Sequence, residues 1–556
     1  MSQPLIERLE GLGVLDLQTL LGKDLIRNLP LLQQTADDSY QSERHLATLL
    51  VGKHRSGLLA DDAVRKELLK TLSDDEIKQL LSDSTQHTGP YLRADALKAL
   101  ISMPFGGEFA RSLIPILGLD DTYLPQPNER PIPFETIQVN WPNYELHPYQ
   151  RLVCDKIFEV AKHGEQRLLV HMPTGAGKTR TTMEAILAAW QAKGATDSFI
   201  LWLAPSMELC EQAAGTLRAL WPHRGQHPLT VHRVWRTVRP DLELDTNGFI
   251  IASTSTLNAL LNGSPEEREM VRAMRSRAFC VIFDEAHHAL ADTYNALVES
   301  LVGSNRMSGW IPSLIGLTAT PGRGTTQESN LALAEVFSGN KVTIDVARLA
   351  DSQPNETPIA YLQRQNYLAR LKHYELETGV EITPVNQGEE RDIPRASLRE
   401  LAANIDRNRL LIGAIKREVE DKRPTLVFTC GTEHSRILSS ILGYQGINAI
   451  AIESNTPAHV RSRAIDGFKK ADGTVPVLLN YDILATGFDA PALRTLIVAR
   501  PIFSVILYSQ ILGRALRGPK MGGQAECRVI DLRDNFERIP GVDHAFSYFD
   551  EFWRPA

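Results

Sequence analysis

The five cysteines of this chain (Cys154, Cys210, Cys280, Cys430, Cys527) lie far apart, and no two form a CxxC pair. That excludes a disulfide framework, a zinc ribbon and a cysteine-bound cluster, and it fits a reducing compartment. No stretch approaches the ~18 uncharged apolar residues that a membrane helix needs. The opening, Met1 to Glu10, has neither a basic leader nor an apolar core, so no secretory signal is expected and the expected location is cytoplasmic. Short-period repeats and low-complexity tracts are missing. So is a strong excess of one charge: 60 Lys+Arg stand against 67 Asp+Glu, a net of −7 over 556 residues. The protein as a whole is therefore not a basic nucleic-acid coat. A hydrophobic content of 43% with 23% charged residues excludes wholesale disorder. The length suggests three or four domains.

The acidity is uneven. Residues 1–140 carry 14 Lys+Arg against 20 Asp+Glu, and the rest carries 46 against 47. Any nucleic acid must then be held by a local groove in the later part. Residues 1–120 read as helical, with Leu15, Leu17, Leu20, Leu21 and then Val64, Leu68, Leu69, Leu72 at helix spacing. Ser73 and Glu76 ahead of Ile77, Leu80 and Leu81 form a capping box. Pro125, Pro127, Pro131 and Pro133 mark a linker. From about 140, short apolar runs alternate with helical patterns: Leu168–Met172, Phe199–Leu203, Gly248–Ile251, Phe279–Phe283 and Leu314–Leu317. Such runs suit strands buried on both faces of a parallel sheet. A charged stretch near 350–400 interrupts them. They resume with Thr425–Phe428, Val475–Leu479, Thr495–Val498 and Cys527–Ile530. The fold class expected is α/β, with two tandem parallel-sheet domains after a mainly helical N-terminal domain.

The strongest chemical signal is Met172-Pro-Thr-Gly-Ala-Gly-Lys-Thr179, between an expected strand and an expected helix. Gly175 and Gly177, with Thr174 and Ala176 between and beside them, let backbone N–H groups curl around phosphate oxygens at a helix N-terminus. Lys178 can reach the β and γ phosphates, and Thr179 can place a hydroxyl on Mg²⁺. A chance Gly-rich turn rarely has strand and helix on the correct sides. The second signal is Val281-Ile-Phe-Asp-Glu-Ala-His287, where an apolar strand delivers two carboxylates at its carboxyl end. Asp284 would hold Mg²⁺, and Glu285 would orient or deprotonate the attacking water. On its own such a pair is usually a solvated loop; after a phosphate loop in the same sheet it becomes the expected partner. His287 and His288 adjoin on one loop and suit a metal poorly, so His287 reads as a polar link from the ATP site to the second domain. Arg514 and Arg517, three residues apart, share one helix face. Surface arginines at that spacing are normally just solvated. In the second sheet they could complete a cleft whose other wall is the phosphate loop, which gives a motor that ATP closes and hydrolysis opens.

Taken in order, these elements resemble the superfamily 2 DEAH-box helicases and translocases over roughly residues 141–536. They look closest to the helicase subunits of restriction enzymes and related DNA-repair helicases. The resemblance implies two RecA-like domains, ATP and Mg²⁺ as cofactors, and further roles. Leu146-His-Pro-Tyr-Gln150 resembles the adenine-reading element, with Gln150 as the selector. Ala204-Pro205-Ser206 and Ser253-Thr254-Ser-Thr256 look like loops that grip a nucleic-acid backbone. Leu317-Thr318-Ala-Thr320-Pro-Gly-Arg323 looks like the element that couples hydrolysis to domain movement. Ala485-Thr486-Gly-Phe-Asp489-Ala-Pro491 resembles an element touching nucleic acid through Thr486 and nucleotide through Asp489. Gln510 to Arg517 resembles the arginine-finger element.

The domains expected are 1–135, acidic and helical with its proline-rich linker; 136–345, the ATP-binding RecA-like domain; 346–536, a linker and the second RecA-like domain; and 537–556, an aromatic tail. The function expected is an ATP-dependent DNA helicase or double-strand translocase of repair, restriction or defence. Two other readings stay open: an RNA-dependent ATPase, and a nucleic-acid sensor or scaffold switched by ATP without unwinding. The acidic domain could dock a partner protein such as a nuclease. With no motor motif of its own, it also reads as separable, so that a fragment starting near Pro133 would fold and hydrolyse ATP. Phe546, Phe549 and Trp553 read as a packed helix face in preference to a base-stacking platform.

Overall fold

A computed structural model describes residues 3–32, 41–85, 92–125, 134–137, 145–194, 198–225, 227–235, 248–288, 292–302, 309–322, 327–380, 385–387, 390–470, 472–485, 487–488, 490–534, 546, 550 and 553. The first sheet is built from β1 (Phe134–Ile137), β2 (Arg167–His171), β3 (Phe199–Ala204), β4 (Leu229–Val234), β5 (Gly248–Ser253), β6 (Ala278–Asp284), β7 (Ser313–Thr318) and β8 (Lys341–Val342), in the order β1-β4-β5-β3-β6-β7-β2-β8. All pairings are parallel except β1 with β4. Every residue of β3, β5, β6 and β7 is buried, as strands with helices on both faces require. Alternate residues serve opposite faces. Ile200, Trp202 and Ile282 enter one apolar cluster, and Leu201, Leu203 and Val281 the other.

The second sheet comprises β9 (Arg370–Glu377), β12 (Thr425–Phe428), β13 (Ala449–Ile452), β14 (Val477–Asn480), β15 (Thr495–Val498) and β16 (Glu526–Arg533). It is parallel throughout, in the order β13-β14-β12-β15-β16-β9. A small antiparallel hairpin, β10 (Val385–Gln387) and β11 (Glu390–Asp392), precedes β12. The charged stretch that broke the sequence pattern thus contains an edge strand. In β9 only Leu371, His373 and Leu376 are half-buried and the other residues are exposed, so no continuous apolar run announces it.

The N-terminal residues form helices, among them Gln3–Glu10, Val14–Leu21, Glu43–His54, Asp62–Lys70 and Asp74–Thr85. The capping box is made: Glu76 N–H donates to Ser73 Oγ at 3.3 Å, and Ser73 N–H donates to Glu76 at 2.8 Å. These helices are not a detached module. Leu46, Leu49 and Leu50 share one apolar cluster with Leu411, Ile415, Ile437 and Ile441 of the second RecA-like domain and with Val427, Leu479 and Ile497 of its sheet. Gly52 lies so close to the helix Thr432–Tyr444 that a Cβ there would sit 3.6 Å from Ser440 Cα. Lys53 pairs with Glu433 at 3.0 Å, and Asn408 donates to Asn28 at 3.0 Å inside the contact. This shared core argues against the separability expected from charge and motif content. Acidity is a surface property, and the buried leucines decide the packing.

Of the four linker prolines only Pro125 falls within the described residues. In the tail, Phe546 and Trp553 are buried against the first RecA-like domain, which favours packing over a stacking platform; Phe549 lies outside the described residues.

Candidate nucleotide cleft and its second-domain wall

The carboxyl ends of the first sheet gather the chemistry. The phosphate-loop sequence follows β2, the acidic pair ends β6, and Thr318–Pro321 follows β7, the strand between them. Gly177 takes φ 83 at the N-terminus of the helix Lys178–Ala192, and a Cβ there would meet Gln150 Nε2 at 2.4 Å. Glycine is required on both counts. Gln150 is fully buried and both ends of its amide are used. Its oxygen accepts from His147 N–H at 3.0 Å, and its nitrogen donates to the Ala176 carbonyl at 3.1 Å. Tyr149 O–H donates to the same carbonyl at 3.0 Å. Gln150 thus braces the loop from behind, and the cleft wall beside it is made by His147, Arg180, Lys520 and Met521.

Lys178 donates to the Met172 carbonyl at 3.1 Å. Burial lowers its pKa, while the nearby Glu285 and Asp284 carboxylates oppose that shift. Burial, with Glu285 adding to it, pushes the Asp284 carboxyl up to about 7, and Lys178 acts against this. Glu285 holds a left-handed backbone, φ 50, with its N–H donating to Asp284 Oδ1 at 3.0 Å. This sparsely populated geometry turns two successive carboxylates toward one space. A buried acid, a half-buried one and a cation facing an open cleft are the donor set that a divalent cation with a polyphosphate would satisfy.

His287 is buried and joins three elements. Its Nδ1 lies 3.4 Å from Glu285 Oε2 and 3.2 Å from Thr318 Oγ1, and its Nε2 lies 3.2 Å from Gln510 Nε2 of the second RecA-like domain. An amide nitrogen only donates, so Nε2 accepts and Nδ1 carries the proton. Thr318 Oγ1 donates to the Thr320 carbonyl at 2.8 Å and accepts from Thr320 N–H at 3.0 Å, closing a tight turn.

The opposite wall comes from the helix Val505–Gly513 and the residues after it. Thr174, Gly175, Lys178, Thr179, Asp284 and Glu285 line a cleft of about 550 Å³ together with Gly513, Arg514 and Arg517. Arg514 Nη1 donates to the Phe488 carbonyl at 2.5 Å. Gly513 allows the approach, since a Cβ would stand 2.6 Å from Thr174 Cβ. Residues that spacing could only place on separate sheets thus share one space. Thr486 and Asp489 lie outside the described residues.

The expected gripping loops are built differently from one another. Pro205 and Ser206 are half-buried, and Ser206 caps the helix Met207–Arg224 by accepting from Leu209 N–H at 3.3 Å. Thr254 is fully buried, and Thr256 is buried with its hydroxyl accepting from Ser253 Oγ at 2.8 Å. The exposed hydroxyl of that turn belongs to Ser255, which the sequence reading passed over. Also missed were the contact of Gln510 with His287, the cleft residues Lys520 and Met521, and an ion pair between the domains, Arg461 with Glu208 at 2.6 Å. Glu208 lies two residues past the Ser206 loop, the available hint. Arg461 carried no signal, because the fold alone brings it there.

Residues 143–323 match the family described as "Type III restriction enzyme, res subunit", and residues 406–519 match the "Helicase conserved C-terminal domain". A Saccharomyces cerevisiae protein named as the ATP-dependent helicase IRC3 is 24% identical over 394 residues, 70% of this chain and 51% of its own length. A Schizosaccharomyces pombe protein named as the mitochondrial ATP-dependent helicase irc3 is 24% identical over 397 residues, 71% of this chain and 58% of its own. The chain thus spans little more than half the length of these relatives. A solved fragment named as an HsdR subunit of a type I restriction enzyme, from Vibrio vulnificus YJ016, aligns with 77% of this chain and 70% of its own, at 19% identity and a TM-score of 0.46. With a restriction-type ATP-binding domain followed by a helicase C-terminal domain, the chain belongs to the superfamily 2 helicases.

Proposed function

We propose that the protein is a DNA-dependent ATPase that unwinds or translocates along DNA, driven by closure of the cleft between its RecA-like domains. The observation that carries this is the shared cleft: phosphate loop and acidic pair on one wall, Arg514 and Arg517 on the other. Backbone amides of Thr174–Gly177 and the Lys178 ammonium hold the β and γ phosphates of ATP. Thr179 and Asp284 would hold Mg²⁺, which when bound neutralises charge on the phosphate oxygens. Glu285 orients a water for in-line attack on the γ-phosphorus and takes its proton as the bond to the β-phosphate oxygen breaks. Arg514 and Arg517 meet the negative charge that builds on the transferring group. His287 ties Glu285 to Gln510, so loss of the γ-phosphate changes how the second domain sits.

DNA is favoured over RNA because the first motor domain matches a restriction-enzyme family. The N-terminal domain supports the second RecA-like domain from one side, so a partner protein such as a nuclease would dock on its outer helices. Among the described residues no helix is long and apolar enough to cross a membrane. The cytoplasmic location expected from sequence stays part of this reading, and cell fractionation tests it against the mitochondrial name of the S. pombe relative. The deciding experiment measures ATP hydrolysis with duplex DNA, single-stranded DNA and RNA, followed by strand displacement. DNA is expected to stimulate most, with an effect that weakens as salt rises. Stronger stimulation by RNA overturns the substrate. ATP binding without turnover on any of the three leaves a switch and overturns the motor.

A further inference from the structure

The chain leaves the second sheet at β16, yet its last described residues lie on the first RecA-like domain. Phe546 stacks on His171, ring centroids 3.9 Å apart and planes 22° from parallel. Asp550 pairs with Lys341 of β8. Trp553 is 6% exposed, and its indole N–H donates to the Pro321 carbonyl at 2.8 Å. A buried indole N–H requires an acceptor, and this one belongs to the turn beside the cleft.

Two of these anchors, His171 and Pro321, lie at and just beyond a pair of neighbouring strand ends. His171 and Thr318 are partners in the β2–β7 register, and each is the last residue of its strand. Beyond His171 runs the phosphate loop, whose Met172 N–H donates to the Thr318 carbonyl at 3.3 Å. Beyond Thr318 runs the turn that ends at Pro321. Thr318 Oγ1 is closed on Thr320 and touches His287, and His287 reaches Gln510 across the cleft. Pro321 is therefore linked through a continuous chain of contacts to Thr318, to His287 and to the second domain.

We propose that Trp553 is a positioning residue. By holding the Pro321 carbonyl it fixes the Thr318–Pro321 turn, and through it the His287–Gln510 contact, so that the C-terminal segment belongs to the apparatus coupling the nucleotide site to the second RecA-like domain. The proposal rests on reading the cleft as an ATP site. Phe546 seats the same segment at the base of the phosphate loop. The arrangement gives the chain a second covalent crossing between its RecA-like domains, in addition to the connection ahead of β9.

The test uses the full chain with Trp553→Phe, which keeps a ring in the pocket and removes the N–H, and with Trp553→Ala. Two readouts are taken. The first is backbone hydrogen exchange at Thr318–Gly322 and in the helix Val505–Gly513, which requires no turnover. Trp553→Phe is expected to speed exchange in both segments while the rest of the first sheet keeps its protection. The second is ATP hydrolysis with and without DNA. Losing one hydrogen bond at the turn is expected to lower DNA-stimulated kcat about tenfold. The KM for ATP and the DNA-free rate should stay within about twofold. Unchanged exchange at Thr318–Gly322 overturns the proposal, whether or not the parent chain hydrolyses ATP. So does parental DNA stimulation in Trp553→Phe. A parallel loss of ATP affinity and thermal stability in both variants assigns Trp553 to packing alone and overturns it as well. If the parent chain is inactive with every nucleic acid, the functional reading falls, and the exchange result still decides the role of Trp553.

Discussion

Removal of residues 1–133 is expected to unfold the second RecA-like domain. The helices Ile405–Glu420 and Thr432–Tyr444 contribute Leu411, Ile415, Ile437 and Ile441 to the core they share with the N-terminal leucines, and each is at most 2% exposed. Fully exposing four such side chains costs on the order of 6–12 kcal/mol, at about 1.5–3 kcal/mol each. The sheet beneath continues to cover part of each, so about half of that is the realistic loss. Even the halved value, about 3–6 kcal/mol, is a large share of the ~5–15 kcal/mol by which a domain is stable. Polar terms add to it. Asn408 loses Asn28, Glu433 loses Lys53, and the Ala449 carbonyl loses Arg55. The fragment 134–556 should be purified and compared with the full chain by thermal unfolding, dye binding to exposed apolar surface, and ATP hydrolysis with DNA. The expected fragment binds dye, unfolds without a sharp transition, and lacks DNA-stimulated turnover; supplying residues 1–125 in trans should restore part of each. A fragment that unfolds cooperatively near the parental temperature and hydrolyses ATP normally would refute the shared-core argument.

Three further outcomes are expected. Lys178→Ala should abolish hydrolysis, whereas Glu285→Gln should keep nucleotide binding and stall turnover, because Asp284 and Lys178 survive; normal turnover in Glu285→Gln, measured by phosphate release, removes its assigned role. Arg514→Ala and Arg517→Ala should each reduce kcat more than ATP affinity, and arginines serving phosphoryl transfer can be worth ~10³–10⁵ in rate; parental rates in both with DNA present would end the cross-cleft account. Acid should weaken the second domain through His434, whose Nδ1 accepts from Cys430 N–H at 3.2 Å, since burial, reinforced by Arg407, lowers its pKa to about 3. The folded state keeps this ring neutral while the unfolded chain protonates it below about 6.5. Stability is thus complete above that pH and falls by about 1.4 kcal/mol per unit between roughly 6.5 and 3. His434→Gln should flatten that slope in denaturant titrations at pH 7 and pH 5; an unchanged slope would assign it to other groups.

Much of the motor was legible in the one-dimensional chain, because its signals are local. A run such as Phe279–Phe283 can be buried on both faces only in a covered sheet, and the glycines at 175 and 177 announce a turn wherever they occur. Strands that carry polar residues escaped this reading. In β4, Arg233 is buried because Glu135 of β1 meets it, and β9, at the sheet edge, is mostly exposed. Burial of a charge depends on a partner that only the fold supplies. The site divides in the same way. Lys178, Asp284 and Glu285 were readable from strand-end position, but Gln150 facing the back of its own loop, Thr254 and Thr256 turning inward, and Trp553 reaching Pro321 were not. Charge and motif content also separated the first 135 residues from the motor, whereas tertiary packing joined them to it. Spacing along a chain determines which residues share a helix or strand face. Which face meets which is settled by apolar surface brought together from distant parts of the chain, and the sharing of one core by Leu50 and Ile441 has no local sequence signal.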